Sequence, residues 1–312
     1  STPKPSSAAS DVYKRQIWFD GELIDFRSAK IHVLSHGLHY ASAVFEGERV
    51  YNGKIFKSAE HTERLHQSAK TVGYSIPYST DLIEKAKADV VKSMGFQDGY
   101  VRPIAWRGTE MMGVSAQNNT IHLAITAWEW PSYFDPEAKT KGIKMGLSRW
   151  KRPAPDTAPT QSKASGLYQI CTMAKHEAEA AGMHDALMLD YRGLVAEATG
   201  ANIFFVMDDG KLHTPVPDCF LDGITRRTVI DLAKRRGFEI VERQIKPEEM
   251  ANASECFLTG TAVEVTPVGQ IDKYSFTPGE VCNVLGEGFE SDHGEGGKVW
   301  VRKNFARILK NE

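Results

Sequence analysis

Four turn signals constrain this chain most: Asp20-Gly21, Asn52-Gly53, Arg192-Gly193 and Asp209-Gly210, each lying between apolar-rich runs. A glycine after a small polar or charged residue supplies the positive backbone angles of a tight hairpin, so each pair predicts two antiparallel strands. Residues 17–26 (IWFDGELIDF) form the first hairpin, and 44–51 reads as one unbroken strand running into the second turn. DALMLDYRGLVAE and NIFFVMDDGKLHTP predict two more hairpins, and 100–105, 120–127 and 239–244 read as further strands.

Helical periodicity covers 58–72, with Leu65, Ala69 and Val72 on one face, and also 80–94, 167–182 and 225–237. Gly182 is the natural stop for the third of these. The strands are grouped and do not alternate strictly with helices, which predicts an α+β fold. A length of 312 residues favours two domains. The stretch 130–141 (WPSYFDPEAKTK) carries two prolines and reads as the linker between them. The expected division is a disordered or non-native leader at 1–16, a smaller α+β domain at 17–134, an interdomain loop at 135–141 and a larger domain at 142–312. The polar, glycine-rich run 291–297 (SDHGEGG) reads as a loop or frayed tail.

Composition narrows the function classes. A net charge of −2 offers no basic face for nucleic acid and no charge block for a membrane surface. No apolar run reaches the roughly 20 residues that span a bilayer, and the leader has no apolar signal core. Cys171, Cys219, Cys256 and Cys282 are widely separated with no C-x-x-C pair, so they read as small core residues in a reducing, cytoplasmic setting.

Nucleotide phosphate loops, a G-x-S-x-G elbow and H-E-x-x-H are all absent from the sequence. His36 and His39 lie three apart without an acidic or cysteine partner, so they read as structural and no metal is expected. Two anion sites are arguable. In LDGITRR, Gly223 precedes a helix that begins at Ile224 and Thr225, where free N–H groups and the helix dipole meet an anion. In LTGTAVE, Gly260, Thr261 and Ala262 can form a backbone nest with hydroxyls beside it. Taken alone, each is as readily an ordinary turn. Lys163, in TQSKASGLY, stands among small residues that leave room for a planar ring, and a buried lysine can lose its proton and condense with an aldehyde. Glu197 ends a hairpin strand, where a buried carboxylate needs a partner. Taken alone, these two are a loop lysine and a strand-end acid.

The order of these features, together with SHGLHYASAVFEGERVY, ERLHQSAK, YVRP, MMGV and EATGANIFFV, resembles the fold type IV pyridoxal-phosphate enzymes, and among them the branched-chain amino-acid aminotransferases. The resemblance covers about residues 17–275. It implies a D-amino-acid-aminotransferase-like fold with pyridoxal 5'-phosphate as cofactor. Lys163 resembles the lysine that bonds the cofactor aldehyde, Tyr168 the residue that hydrogen-bonds the cofactor phenolate, and Glu197 the partner of the ring nitrogen. Arg64, Gly223, Ile224, Thr225, Gly260 and Thr261 resemble the phosphate-binding set, and Leu221 the side chain packed on the ring. Tyr40, Phe45, Gly47, Tyr100, Arg102, Val114, Trp130 and Tyr133 resemble the substrate pocket, with the Thr261 and Ala262 amides on the substrate carboxylate.

The activity so implied moves the amino group of L-leucine, L-isoleucine or L-valine to 2-oxoglutarate, giving glutamate. The partners are small amino acids and 2-oxo acids, and the assembly is a homodimer or larger. An enzyme of the same fold acting on D-amino acids or (R)-amines is the alternative, and the Tyr100/Arg102 pair argues against it. Glu48, Leu167 and Ala201 depart from the more usual residues at their positions and leave the substrate range open.

Overall fold

The structure, a computed structural model, describes residues 16–130 and 140–292. The Asp20-Gly21 and Asn52-Gly53 pairs all adopt positive φ and turn two hairpins of one sheet. The first joins β1 (Gln16–Phe19) to β2 (Glu22–Asp25) with Trp18 opposite Leu23, so Gln16 belongs to the fold and not to a leader. The second joins β4 (Glu48–Tyr51) to β5 (Lys54–Ile55). With β3 (Ala43–Phe45), β6 (Gly99–Arg107) and β7 (Ile121–Glu129) these make a seven-stranded sheet in the order β2-β1-β7-β6-β4-β5, with β3 also on β6.

The expected continuous strand 44–51 is therefore two strands broken at Glu46-Gly47. The register on β6 runs on across the gap, from Phe45 opposite Ile104 to Glu48 opposite Val101, but Pro103 has no N–H to return a bond there. A Cβ on Gly47 would stand 1.8 Å from the Tyr100 hydroxyl, so the chain passes beneath Tyr100 only as glycine.

Helix α1 (His36–Tyr40) is short, and α2 (Ser58–Thr71) and α3 (Thr80–Met94) cover the sheet. The Ser79 hydroxyl caps α3 by accepting from Leu82 N, and Gly95 ends it in the left-handed region. Leu65 and Ala69 of α2 and Ile83 and Val90 of α3 pack into one core with Val44, Val50, Val101, Leu123 and Ile125. Val72, expected on the α2 face, sits one residue beyond the helix and packs against the same core part-buried.

A second sheet has nine strands: β8 (Ile143–Leu147), β9 (Asp185–Leu189), β10 (Val195–Ala198), β11 (Asn202–Met207), β12 (Leu212–Pro215), β13 (Ile240–Arg243), β14 (Ala253–Gly260), β15 (Glu264–Ile271) and β16 (Tyr274–Ser275). Their order is β10-β9-β8-β15-β14-β11-β12-β13, with β16 on β15. The Arg192-Gly193 and Asp209-Gly210 hairpins form as expected, and the 256–268 run divides at the turn after Gly260. Helices α4 (Tyr168–Ala180), α5 (Ile224–Arg235) and α6 (Glu280–Asp292) complete the described chain. The stop assigned to Gly182 lies two residues past α4, with Gly182 in the left-handed region. Residues 291 and 292, expected in a frayed tail, end α6, while 293–297 lie outside the described residues.

The chain divides into two compact units that do not follow the linear cut at 135–141. The described residues up to 130 group with Arg152–Met173 and Asp218–Leu221, and the remainder forms the second unit. The Lys163 segment thus belongs with the N-terminal sheet, because Ala164 and Leu167 are buried in the core of that unit. The leader before Gln16, residues 135–139 of the expected linker and Tyr133 lie outside the described residues.

Candidate active site

In the first unit the backbone of Lys163 is pinned on both sides. Its N–H donates to the Ser68 hydroxyl at 3.0 Å, and its carbonyl accepts from Phe45 N at 3.2 Å. Ala164 bridges Val44, and a short 3-10 turn (Ser165–Leu167) leads into α4. With the main chain fixed, the side chain reaches the Tyr168 hydroxyl, to which Nζ donates at 2.9 Å. The ring of Phe45 stands 4.9 Å from that nitrogen and meets Tyr168 edge-on at 4.8 Å. Burial, and then the Arg64 guanidinium, hold the lysine below its ordinary pKa, with Glu46 opposing. A lowered amine pKa favours the neutral form that attacks a carbonyl.

Arg64 projects from α2 onto Glu46, whose side chain is fully buried. Nε donates to Oε1 at 2.6 Å and Nη2 to Oε2 at 2.8 Å, a two-pronged pair, while His61 Nδ1 donates to Oε2 at 2.6 Å. Burial alone would raise the Glu46 carboxyl, but Arg64 and His61 together outweigh it and hold the group far below the usual carboxylate range, so it is an anion. Nη1 of Arg64 has no hydrogen-bond partner among the described residues.

The substrate candidates separate into two groups. Tyr100 and Arg102 are two apart on β6 and face the same way, with Arg102 Nη2 donating to the Tyr100 hydroxyl at 3.2 Å. The Arg102 guanidinium lies 4.6 Å over Phe45 and 5.3 Å over Tyr100, and Trp130 packs 5.0 Å from the Tyr100 ring. Phe45, Gly47, Tyr100, Arg102 and Trp130 therefore form one wall. Tyr40 and Val114 are 48% and 82% exposed in the single chain, and no hydrogen bond or ring contact joins them to that wall among the described residues. Ser68, Glu46 and His61 were not among the candidates read from the sequence. Their partners come from other elements, and nothing local marks them.

The second unit holds the other cofactor candidates. A register shift between Val195 and Glu197 breaks the β10 ladder, a device that re-aims side chains, and Glu197 is buried there. Asn202 Nδ2 donates to Glu197 Oε2 at 3.2 Å, while Asn202 Oδ1 accepts from Gly223 N at 3.2 Å. One buried amide thus joins the carboxylate to the start of α5. A Cβ on Gly223 would meet that Asn202 oxygen at 2.2 Å, which explains the glycine. Helix α5 has no side-chain cap and no acid in its first turn, so the amides around Ile224 and the buried Thr225 can meet an anion. Gly260 ends β14, and Thr261 and Ala262 lie in the tight turn before β15. Beside them the buried Thr259 hydroxyl has no hydrogen-bond partner among the described residues. Asn202 carried no sequence signal beyond its place on the strand after Glu197.

In the first unit a lysine of lowered pKa beside a phenol suits an aldehyde, and a guanidinium with one spare N–H group suits an anion; in the second an uncapped helix start suits an anion and a buried carboxylate suits a protonated ring nitrogen. Residues 43–271 match the amino-transferase class IV family. The chain belongs to that family. A relative in Pseudomonas aeruginosa, named a branched-chain-amino-acid aminotransferase, is 42% identical over 82% of this chain and 84% of its own length. The crystal structure of the Escherichia coli branched-chain amino acid aminotransferase superposes with a TM-score of 0.86 at 36% identity, covering 90% of this chain and 96% of that one. The branched-chain amino acid aminotransferase from Thermobaculum terrenum, in its PLP-bound holo form, gives 0.82 at 29% identity, covering 92% and 97%. This aminotransferase thus has the type IV fold, and its family implies pyridoxal phosphate as cofactor.

Leu221 groups by contacts with the Lys163 unit and is part-buried. Of the departures from the usual motifs, Leu167 and Ala201 are both buried in core, and Glu48 is buried against Lys87 at 2.8 Å. Each is accommodated by packing or pairing. The four cysteines are free and buried, as expected. His36 also proves structural, bonded to the Ser42 hydroxyl and the Gly113 carbonyl.

Proposed function

We propose that this aminotransferase moves the amino group of L-leucine, L-isoleucine or L-valine to 2-oxoglutarate, with pyridoxal phosphate as its cofactor. The observation that carries the reading is the wall of Phe45, Tyr100 and Arg102, where a cation stands 4.6 and 5.3 Å over two aromatic rings. Such a wall offers apolar area to an aliphatic side chain and a charge to a dicarboxylate. The names of the relatives support the same substrates.

When bound, the cofactor supplies an electron-accepting ring that makes the substrate Cα–H acidic. Lys163, held toward its neutral amine, would take the Cα proton and carry it across the substrate nitrogen to the carbon on the other side. Tyr168, 2.9 Å from that amine, orients it. Glu197, kept in place by Asn202, holds a proton on the ring nitrogen. Arg64 and the start of α5, with Thr225 and Thr261, take the phosphate. Leu221 packs against the ring. The Tyr100 hydroxyl and the 261–262 amides hold the substrate α-carboxylate, and Arg102 reads the side chain.

The assembly is a homo-oligomer. Ile31, Val33, Leu34, Leu38 and Val114 are large apolar side chains left exposed on the first unit, as an interface surface would be. A reducing cytoplasmic setting accords with four free cysteines. The test is a donor panel of L-leucine, L-isoleucine, L-valine, D-alanine and an (R)-amine with 2-oxoglutarate as acceptor. Faster turnover with the D-amino acid or the amine overturns the substrate assignment.

A further inference from the structure

We propose that Glu46 is a positioning residue for the phosphate end of the cofactor: it engages two of the three nitrogens of the Arg64 guanidinium and presents the third, Nη1, to the anion. The proposal rests on the reading of Arg64 as a phosphate ligand.

Three observations carry it. First, Glu46 is placed by the β6 ladder. Its backbone N–H donates to the Pro103 carbonyl at 2.9 Å, in the register that β3 and β4 both keep on β6, and the following residue must be glycine beneath Tyr100. The direction of the Glu46 side chain is therefore set by that ladder. Second, the carboxylate is fully engaged. It accepts from Arg64 Nε and Nη2, from His61 Nδ1, and from Gly47 N at 3.3 Å. The fork of Arg64 cannot rotate without breaking two short charged bonds, so its flexibility is spent before any ligand arrives. Third, the pair lies close enough to Lys163 to act on its charge in opposite senses, Arg64 lowering and Glu46 raising its proton affinity. Without Glu46, the lysine would face an unbalanced guanidinium.

A carboxylate beside an anion site is at first sight unfavourable, since it repels the incoming phosphate. The geometry resolves this. Both Glu46 oxygens are already covered by donors, and the free nitrogen of Arg64 is the one that Glu46 does not touch. What the site gains is a guanidinium whose direction is set. A lone arginine on a helix would instead sample many rotamers and lose that freedom on binding.

The phosphate group itself is the discriminating probe. The full chain, stripped of cofactor, is titrated with pyridoxal phosphate and, separately, with pyridoxal, which lacks the phosphate. E46Q is expected to weaken pyridoxal phosphate on the order of 10–100-fold, the range for charged hydrogen bonds, while pyridoxal changes by no more than about 3-fold. E46Q/R64A should be no worse than R64A alone, because Glu46 acts through Arg64. E46D, which keeps the buried charge but shortens the side chain, should show the same phosphate-selective loss to a smaller degree and serves if E46Q does not fold. Equal weakening of both ligands in E46Q or E46D would show a merely structural role and overturn the proposal. So would an additive E46Q/R64A effect, or unchanged pyridoxal phosphate binding in E46Q while R64A is weak. Unchanged phosphate selectivity in R64A would overturn the Arg64 reading and the proposal with it, a pattern distinct from the others.

Discussion

Arg102→Leu should separate the two halves of the reaction. In the structure Arg102 has a modest set of protein partners: one hydrogen bond to the Tyr100 hydroxyl and two aromatic faces at 4.6 and 5.3 Å. Its Nε is buried with no hydrogen-bond partner among the described residues. The two cation–π contacts contribute about 0.5–2 kcal/mol each and the hydrogen bond about 1.5 kcal/mol. No carboxylate of the protein pairs with it among the described contacts. A substrate carboxylate within about 4 Å would add roughly 4 kcal/mol at an effective dielectric near 20. Removing the charge should therefore cost the 2-oxoglutarate and glutamate half-reaction about 2–5 kcal/mol of transition-state binding. That corresponds to roughly 30- to 5,000-fold. Leucine introduces an apolar side chain against Phe45, so the leucine half-reaction should slow by less than about 10-fold. Single-turnover absorbance with leucine and with glutamate reads the two rates separately. Equal slowing of both would refute the assignment of Arg102 to the side-chain carboxylate.

Four further outcomes follow from named contacts. Lys163→Ala should abolish turnover, and borohydride treatment should no longer leave a pyridoxyl group on the peptide that carries residue 163; mass spectrometry decides, and a label on another lysine would refute the anchor. Glu197→Gln should retain cofactor yet lower kcat about 10²-fold or more, since an amide cannot hold the ring-nitrogen proton, and an unchanged kcat would refute that role. Gly47→Ala should displace Tyr100, because the new Cβ would stand 1.8 Å from its hydroxyl; KM should rise for leucine and glutamate alike, against the selective effect at Arg102. Burial pushes Glu48 up to about 8, above the 4.5 of an unperturbed carboxyl. The folded state thus binds a proton that the unfolded state has released, so the contribution of Glu48 to stability falls as pH rises from about 4.5 toward 8. Urea unfolding across that range should show the decline, and Glu48→Gln should flatten it.

The sequence was readable where chemistry is local. Asp20-Gly21 and Asn52-Gly53 named their turns because positive φ is a property of the residues themselves. Helix α3 was readable at 80–94 from its periodicity, and the structure caps it with Ser79 and Gly95. The gap at Glu46-Gly47 was hidden because it depends on Pro103, far along the chain on the neighbouring strand. The Glu46–Arg64 pair was hidden too: the arginine was visible in ERLH, but no local rule says that a glutamate 18 residues earlier holds it. Tyr40 and Val114 were placed in the pocket by resemblance, and their exposure in a single chain could not be read from residue type. The contact grouping departs from the linear division because proximity along the chain is a poor guide to which core a segment completes, as the Lys163 segment shows.

That late-arriving segment has a consequence for synthesis on the ribosome. The Ser162 hydroxyl donates to the Ser68 carbonyl, 94 residues earlier, and Lys163 and Ala164 close onto Phe45 and Val44. At about 5–20 residues per second, the N-terminal sheet, whose last strand ends at Glu129, waits roughly 2–7 s for the strip that seals its core. During that interval Val44 lacks its Ala164 neighbour, and the core lacks Leu167. The nascent sheet exposes apolar core in that interval, and the sealing event also delivers Lys163. With Lys163 in its proposed role as anchor, a half-made chain holds no buried amine in place to capture the aldehyde before the core is closed.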